Sequence, residues 1–201
     1  MKLGILLFPL AASAQVLSFG VQGGAPAQTP FGQTNRMPFI VGPAVHMRVL
    51  PRLSLETGVL YYRLGREFNN YALTYPAGMV TLGFEARRGS ALELPFLARY
   101  RFLSERRTWR PFISAGPAVR RTSITARTVS AVIGGSGSGN AAPALNTKTV
   151  HWNLDPAAGG GVDIRAGRFH IEPQVRYSYW GAGKTAPVRK NQAAFLLGFR
   201  F

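Results

Sequence analysis

Hydrophobic and polar residues alternate along most of the chain, which is the period-2 pattern of β-strands whose two faces meet different surroundings. In "FHIEPQVRYSY", residues 169–179, Phe, Ile, Val and Tyr occupy one parity, and His, Glu, Gln and Arg the other. "LELPFLARYRF", residues 92–102, repeats the pattern. No segment of comparable length follows the helical period, so we predict an all-β chain. With six further segments there are eight predicted strands, the others near 17–21, 41–49, 53–61, 112–121, 150–164 and 195–201.

The connections between the predicted strands differ in length from one end to the other. The short ones cover 50–52, 103–110 and 165–168. Short turns at one end and long loops at the other are typical of an eight-stranded antiparallel up-and-down transmembrane β-barrel of a bacterial outer membrane, with both termini in the periplasm. The predicted long loops cover roughly 25–37, 64–91, 122–149 and 181–190.

A soluble β-sandwich or a lipocalin-like barrel would also alternate, with its apolar parity facing inward. Here the apolar parity is large and aromatic, and the polar parity is rich in Gly, Ala and isolated charges, which suits a narrow hydrated interior. Aromatic residues also gather near strand ends, as they do in membrane-interface girdles. The predicted interface aromatics are Tyr61, Trp109, Trp152, Tyr177, Tyr179 and Trp180.

Several prolines fall inside the predicted strands. Because proline cannot donate to a β-ladder and a closed barrel has no edge strand, we expect several of them at bulges or beyond the hydrogen-bonded stretch. These residues are Pro43, Pro95, Pro117, Pro156 and Pro173.

The first residues have the features of a secretory leader. Lys2 precedes an apolar stretch, and Ala12-Ser13-Ala14 matches the small-residue pattern of a cleavage site. We therefore predict a cleaved signal peptide over 1–14 and a barrel domain over 15–201. The chain contains no cysteine, so no disulfide stabilises it after export.

Charged residues on the polar parity are the first candidates for a functional site. An arginine or lysine facing lipid at mid-depth costs roughly 2–4 kcal/mol, so these charges are expected to point inward. We expect an Arg–carboxylate network that fills the lumen; the alternative is a charged constriction in a narrow solute channel. The predicted lumen residues are Glu56, Glu93, Arg99, Arg101, Asp163, Glu172, Arg176 and Arg200.

The formal charge of +16 is carried largely by the predicted loops and turns. Outer-membrane lipids, and lipopolysaccharide phosphates at the outer rim, are expected partners because arginine suits phosphate. Simple solubilisation of the loops accounts for the same charges. An exported chain without a nucleic-acid-binding module is not expected to bind nucleic acid.

The sequence offers little for catalysis. Its three histidines, His46, His151 and His170, are scattered and have no metal-ligand spacing. His151 shares its parity with Asn153 and Asp155 near the outer rim, which is the only suggestion of a lipid-modifying enzyme. We therefore predict no enzymatic activity, no cofactor and no metal.

Several segments resemble the outer-membrane β-barrel domain family of small eight-stranded barrels. They are "LSLETGVLYYRLG", "LELPFLARYRF", "RPFISAGPAV", "GGGVDIRAGRFHIEPQVRYSYWG" and the terminal "LLGFRF". The resemblance covers nearly all of the chain after the leader and fails in the long loops. It implies architecture and location, but no shared activity or catalytic residues. A structural or surface-interaction role through the long loops is therefore the expected function.

The last segment, "FLLGFRF", has aromatic and aliphatic residues on one parity and ends on an aromatic residue. As the closing strand it would pair with the first strand and face lipid. A terminal aromatic also resembles the signal by which barrel-assembly machinery recognises its substrates, so this machinery is an expected partner. The predicted signal consists of Phe195, Leu197, Phe199 and Phe201.

Overall fold

The structure is a computed structural model that describes residues 17–28, 30–31, 37–74, 80–104, 107–133, 139–141, 143–180 and 188–201. The predicted signal peptide lies outside these residues. The described part of the chain contains no helix long and apolar enough to cross a membrane. Its strands are β1 (Leu17–Pro26), β2 (Phe39–Arg48), β3 (Leu53–Gly58), β4 (Leu60–Thr74), β5 (Val80–Arg101), β6 (Trp109–Ile133), β7 (Gly139–Ala141), β8 (Leu145–Ala166), β9 (Phe169–Tyr179) and β10 (Asn191–Arg200).

The strands close into an antiparallel ring. Successive strand positions pair in chain order, and β10 pairs with β1 from Gly20↔Arg200 to Pro26↔Ala194. Strands β3 and β4 together occupy one position, between β2 and β5. The short β7 pairs with the end of β6 and lies outside the ring. The ring therefore has eight strand positions, and the all-β, eight-stranded prediction is confirmed.

The break between β3 and β4 has a local cause. The pairing of β2 continues across it without a change of register, from Ala44↔Gly58 to Val41↔Tyr61. The backbone N–H of Val59 donates to the carbonyl of Pro43 at 3.2 Å, but Pro43 has no N–H with which to complete the pair. One missing donor thus interrupts an otherwise continuous strand.

The two faces of the barrel have opposite chemistry. Outward apolar side chains are well exposed, such as Phe96 at 51% and Phe195 at 61%, whereas inward polar groups such as Glu93 and Arg99 are 0% exposed. In a barrel whose outside contacts lipid, that distribution places apolar surface against hydrocarbon. The predicted orientation of the two parities is therefore observed.

Two of the predicted long loops are largely strand. Pairing between β4 and β5 continues to Thr74↔Val80, and pairing between β6 and β8 continues to Thr128↔Leu145. The prediction of loops over 64–91 and 122–149 was therefore wrong. The alternation weakens there because both faces of these extensions lie outside the membrane, which removes the constraint that one face be apolar. Residues 181–187 lie outside the described part of the chain.

The prolines are not placed as expected. All five lie inside strands β2, β5, β6, β8 and β9, and all five have ladder partners in register: Pro43↔Val21, Pro95↔Ala118, Pro117↔Pro156 and Pro173↔Leu197. Pairing lapses for a few residues beside Pro95 and Pro173, because the N–H is missing, and then resumes in the same register. A register shift occurs elsewhere in the sheet, between Arg63 and Gly65.

Candidate functional site

The middle of the lumen is filled by a hydrogen-bonded ion-pair network centred on Glu56. Its carboxylate accepts hydrogen bonds from Arg99 and Arg176, each at 2.5 Å, and from Gln22 at 2.8 Å. Arg99 donates through its other terminal nitrogen to Glu172 at 2.5 Å. The charged residues of this network are at most 1% exposed, so their charges are balanced by one another and not by bulk water.

The network continues toward the periplasmic end through Arg200. Its Nε donates to Glu172 at 2.9 Å and its Nη2 to Asp163, also at 2.9 Å. Asp163 accepts a further bond from Arg110 at 2.6 Å, and His170 Nδ1 lies 2.6 Å from its other oxygen. Arg101 Nε lies 3.3 Å from the same carboxylate. A single aspartate thus holds three arginines and a histidine, from β5, β6, β9 and β10, together.

A separate ion-pair group lies toward the opposite end of the lumen. Arg120 donates from Nε and Nη2 to the carboxylate of Glu93, and from Nη1 to Asp155 at 2.7 Å. Its guanidinium carbon lies 4.1 Å from the ring centroid of Trp180. The arrangement joins β5, β6 and β8 across the barrel and leaves Arg120 fully buried.

An apolar plug lies at the outer end of the lumen, next to Arg120. Tyr62 and Trp180 meet edge to face with ring centroids 5.7 Å apart. Phe31, between β1 and β2, is completely buried with them. The plug consists of Phe31, Ile40, Leu60, Tyr62, Leu64, Ala91, Ile124, Trp180, Ala194 and Leu196, and Val188 packs against it.

The structure places all eight predicted lumen residues inside the barrel and joins seven of them through shared partners, with Glu93 in the group of Arg120. Sequence reasoning missed Arg110, Arg120 and Asp155 as members. Arg120 was missed because the faces of β6 were ambiguous: Phe112 and Ile124 point inward with it. Trp109 and Ile113, which are exposed on the other parity of β6, identify that parity as the outward face and thereby assign Arg120 to the inward face.

The prediction that Trp180 is an interface aromatic was wrong. Its side chain is 6% exposed and belongs to the plug. Trp180 has the same parity as the inward-facing Arg176 and Ser178 of β9, so the alternation of that strand continues through it and directs it into the lumen. The other five lie on the outward face with exposures of 38% to 65%: Tyr61, Trp109, Trp152, Tyr177 and Tyr179.

The four residues of the predicted assembly signal are also outward. Phe195, Leu197 and Phe199 alternate along β10, and Phe201 follows directly; their exposures range from 41% to 67%. Strand β10 closes the ring against β1. The structure thus gives this stretch a lipid-facing surface, and its use as a signal stays a prediction.

Two cavities adjoin these features. One of about 780 Å³ opens at the periplasmic end and is lined by His46, His170 and the arginines Arg48, Arg101, Arg110, Arg165, Arg168 and Arg200. The other, of about 370 Å³, lies among outward residues near the opposite end, including Arg63, Arg66 and Arg88. Within the described residues, no group of three or more His, Cys, Asp or Glu side chains is arranged to hold a metal ion.

Comparison with known proteins identifies the family. The model of the outer membrane protein beta-barrel domain family matches residues 14–185. No curated protein matches the chain. Among solved structures, the N-terminal β-barrel domain of Pseudomonas aeruginosa OprF is similar at 13% identity and a TM-score of 0.51, over 92% of this chain and 96% of that one.

A second similar structure is Neisserial surface protein A, at 15% identity and a TM-score of 0.47, over 92% of this chain and 94% of the other. At these identities the similarity concerns the fold alone. The match of the family model, which extends over more than half of the chain, agrees with the closed ring and its apolar exterior. This chain belongs to the outer membrane protein beta-barrel domain family and is a barrel of the bacterial outer membrane.

Proposed function

We propose that this protein is a sealed barrel with a structural or surface-interaction role, carried by the sheet that extends beyond its outer end. The observation that carries the proposal is the position of the plug. It lies between the periplasmic cavity and the outer mouth, on the line that a solute would follow. The ion-pair network fills the lumen below it.

A narrow solute channel is the alternative. Conduction would require a continuous hydrated path past Arg120, Trp180 and Tyr62, all of which are at most 6% exposed. Moving these side chains would separate Arg120 from Glu93 and Asp155, leaving buried charges unpaired. That cost favours a lumen that supports the barrel over one that conducts.

The extended sheet offers the surface for interaction. Residues 66–74 of β4 lie beyond the last pairing with β2, so within the described chain this part of β4 pairs only with β5. At ~3.3 Å per residue, it projects roughly 30 Å along the strand. A partly unpaired edge of this length can accept an added strand from a partner.

Apolar side chains on the extension support the same role. Leu82 and Phe84 are 46% and 42% exposed on one face, and Phe84 contacts Phe68 with ring centroids 5.6 Å apart. Tyr71 and Leu73 are 38% and 50% exposed on strand β4. Exposed apolar groups beyond the membrane are typical of contact surfaces.

Site-specific photocrosslinking on intact cells tests this role. A photoreactive amino acid at position 84 is expected to give a discrete crosslinked band in the native environment. The same group at Val175, which faces lipid with 46% exposure, is the matched control. A folded, surface-exposed variant that gives no more macromolecular crosslinking at 84 than at 175 would contradict the interaction role.

A lipid-modifying activity remains the less favoured alternative. Its test is the lipid A of a strain that lacks the protein. Unchanged lipid A is expected under the proposed function, whereas a missing modification restored by the gene would establish an enzyme.

A further inference from the structure

A group of arginines on the outside of the barrel lines a surface cavity, whereas the arginines of the lumen are buried in ion pairs. Arg63 and Arg66 on β4 and Arg88 on β5 line the outward cavity of about 370 Å³. The hydroxyls of Ser90, Ser123 and Thr125 line it too. We name Arg63, Arg66, Arg88, Ser90, Ser123 and Thr125 the outer arginine site.

The strand register arranges these residues as a grid. Arg63 is opposite Ser90, which is opposite Ser123; Arg66 is opposite Arg88, which is opposite Thr125. Neighbouring side chains on one face of an antiparallel sheet lie about 4.5–5.5 Å apart at Cβ. Three guanidinium groups and three hydroxyl groups therefore converge on one area across three strands.

A β-bulge makes this convergence possible. Residues three apart in a regular strand point to opposite faces, so Arg63 and Arg66 would be separated by the sheet. The register shifts between Arg63 and Gly65, and Gly65 has a φ of 91°, a left-handed conformation that favours glycine. The extra residue brings Arg66 to the same face as Arg63, which is a recurrent use of bulges near binding sites.

The carboxylates of this hairpin are on the other face. Arg87 donates to Glu85 at 2.8 Å and lies 3.9 Å from Glu67. All three residues lie on the face of the sheet that continues the inner face of the barrel. Gly89 shares that face, because a Cβ on it would meet Phe31 and Leu64 of the plug at 3.0 Å. The outer arginine site thus contains like charges directly opposite each other, Arg66 and Arg88, and the described residues that line it include no acidic side chain.

The level of the site in the barrel indicates which anionic groups it can reach. Directly below it, the outward row consists of Tyr61, Leu92, Arg121 and Trp152, where the surface becomes apolar and aromatic. Aromatic girdles mark the boundary between hydrocarbon and head groups. Aromatic rings also support two of the guanidinium groups: Arg66 lies 4.7 Å from the centroid of Phe68, and Arg63 lies 5.8 Å from that of Phe39.

We infer that the outer arginine site binds a phosphate group of lipid A in the outer leaflet. Guanidinium groups pair with phosphate oxygens through two hydrogen bonds, and hydroxyls supply further donors. A bound phosphate would relieve the repulsion between Arg66 and Arg88. The inference rests on the outer-membrane location of the barrel, and it is independent of the sealed lumen and of the proposed role of the extended sheet.

Native mass spectrometry of the refolded barrel with defined lipids tests this inference. With bisphosphorylated lipid A, the wild type is expected to retain one lipid. The variant R63Q/R66Q/R88Q is expected to retain it about tenfold more weakly, as three charge-assisted contacts are lost. The control R52Q/R107Q/R168Q removes the same charge from exposed periplasmic positions and is expected to retain lipid A as the wild type does.

The lipid series identifies the source of the phosphate. Dephosphorylated lipid A is expected to bind the wild type as weakly as lipid A binds the triple variant. Equal retention of phosphatidylglycerol and lipid A, equal loss in both triple variants, or no effect of dephosphorylation would each overturn the inference. Heat modifiability on gels verifies that each variant is folded, and R63K/R66K/R88K, which keeps the charge without the planar geometry, is expected to retain lipid at an intermediate level.

Discussion

Arginine occurs in two surroundings in this barrel, and they differ in what balances its charge. In the lumen, arginines from four strands share five carboxylates, and the pairs are nearly inaccessible to water. At the outer arginine site, three arginines share one face, and no acidic side chain lies among the residues of its lining that the structure describes. Burial makes pairing within the protein necessary inside, whereas outside a ligand can supply the counter-charge.

The contrast also accounts for the composition. The chain has 24 basic and 8 acidic residues, and five of the acidic ones form ion pairs inside the lumen. Two more, Glu67 and Glu85, lie with Arg87 on the inner face of the extended hairpin. Because most acidic residues pair with arginines on the inner face of the sheet, the outer surface carries an excess of positive charge.

The largest expected effect is in the centre of the lumen. Glu56→Gln removes the carboxylate shared by Arg99 and Arg176, and we expect it to lower the free energy of unfolding by about 3–5 kcal/mol. Urea unfolding in vesicles measures the loss. The matched control Glu67→Gln, on the solvent-accessible extension, is expected to cost less than about 1 kcal/mol.

A double variant sharpens that result. Glu56→Gln combined with Arg176→Gln is expected to recover part of the loss, since one unpaired buried charge is removed with its partner. Equal stability of Glu56→Gln and Glu67→Gln would mean that water compensates the lumen arginines.

The plug is expected to show the next largest effect. Trp180→Ala removes the contacts with Tyr62 and Arg120 and is expected to cost about 3 kcal/mol of unfolding free energy. Trp152→Ala is the control, because Trp152 is 65% exposed on the outward face. If the two variants lose equal stability in the same vesicles, Trp180 is not part of a packed plug.

At the C-terminus the expected effect is on assembly more than on stability. Deleting Phe201 is expected to reduce the heat-modifiable fraction in outer membranes well below that of Phe195→Ala. The comparison is matched because the two side chains have similar exposures, 67% and 61%. Insertion of the truncated protein at the level of Phe195→Ala would show that Phe201 contributes only a surface contact.

The smallest expected effect is at the outer arginine site in the absence of lipid A. Arg88→Gln is expected to change the unfolding free energy by about 0.5 kcal/mol or less, with a gain if relief of the Arg66–Arg88 repulsion dominates. Unfolding in vesicles without lipid A measures this. A loss of several kcal/mol would show that Arg88 has a structural partner comparable to those in the lumen.

The alternation was sufficient to predict the strands that cross the membrane, because lipid on one side and a packed lumen on the other impose period 2. It could not predict the extensions of β4, β5, β6 and β8, where both faces leave the membrane. It also placed eight members of the lumen network, since an isolated charge in an otherwise apolar strand has to point inward.

The remaining features depend on contacts between distant segments. The plug brings Phe31 and Trp180, which both lie outside strands, against residues of β4 and β6. The parity of β9 directs Trp180 inward, but no sequence period indicates which residues it contacts. The outer arginine site depends on a bulge that adds one residue at Leu64. A period-2 pattern extended through that point would assign Arg66 to the wrong face.

The central claim is that the lumen is closed, so that the function of the barrel lies on its surfaces. Planar-bilayer recording of the refolded wild-type protein tests it most directly. We predict a bilayer that stays sealed, without stable conductance steps, while heat modifiability verifies that the sample is folded. Reproducible steps of one size from the folded protein would contradict the account, because current would have to pass Arg120 and the plug.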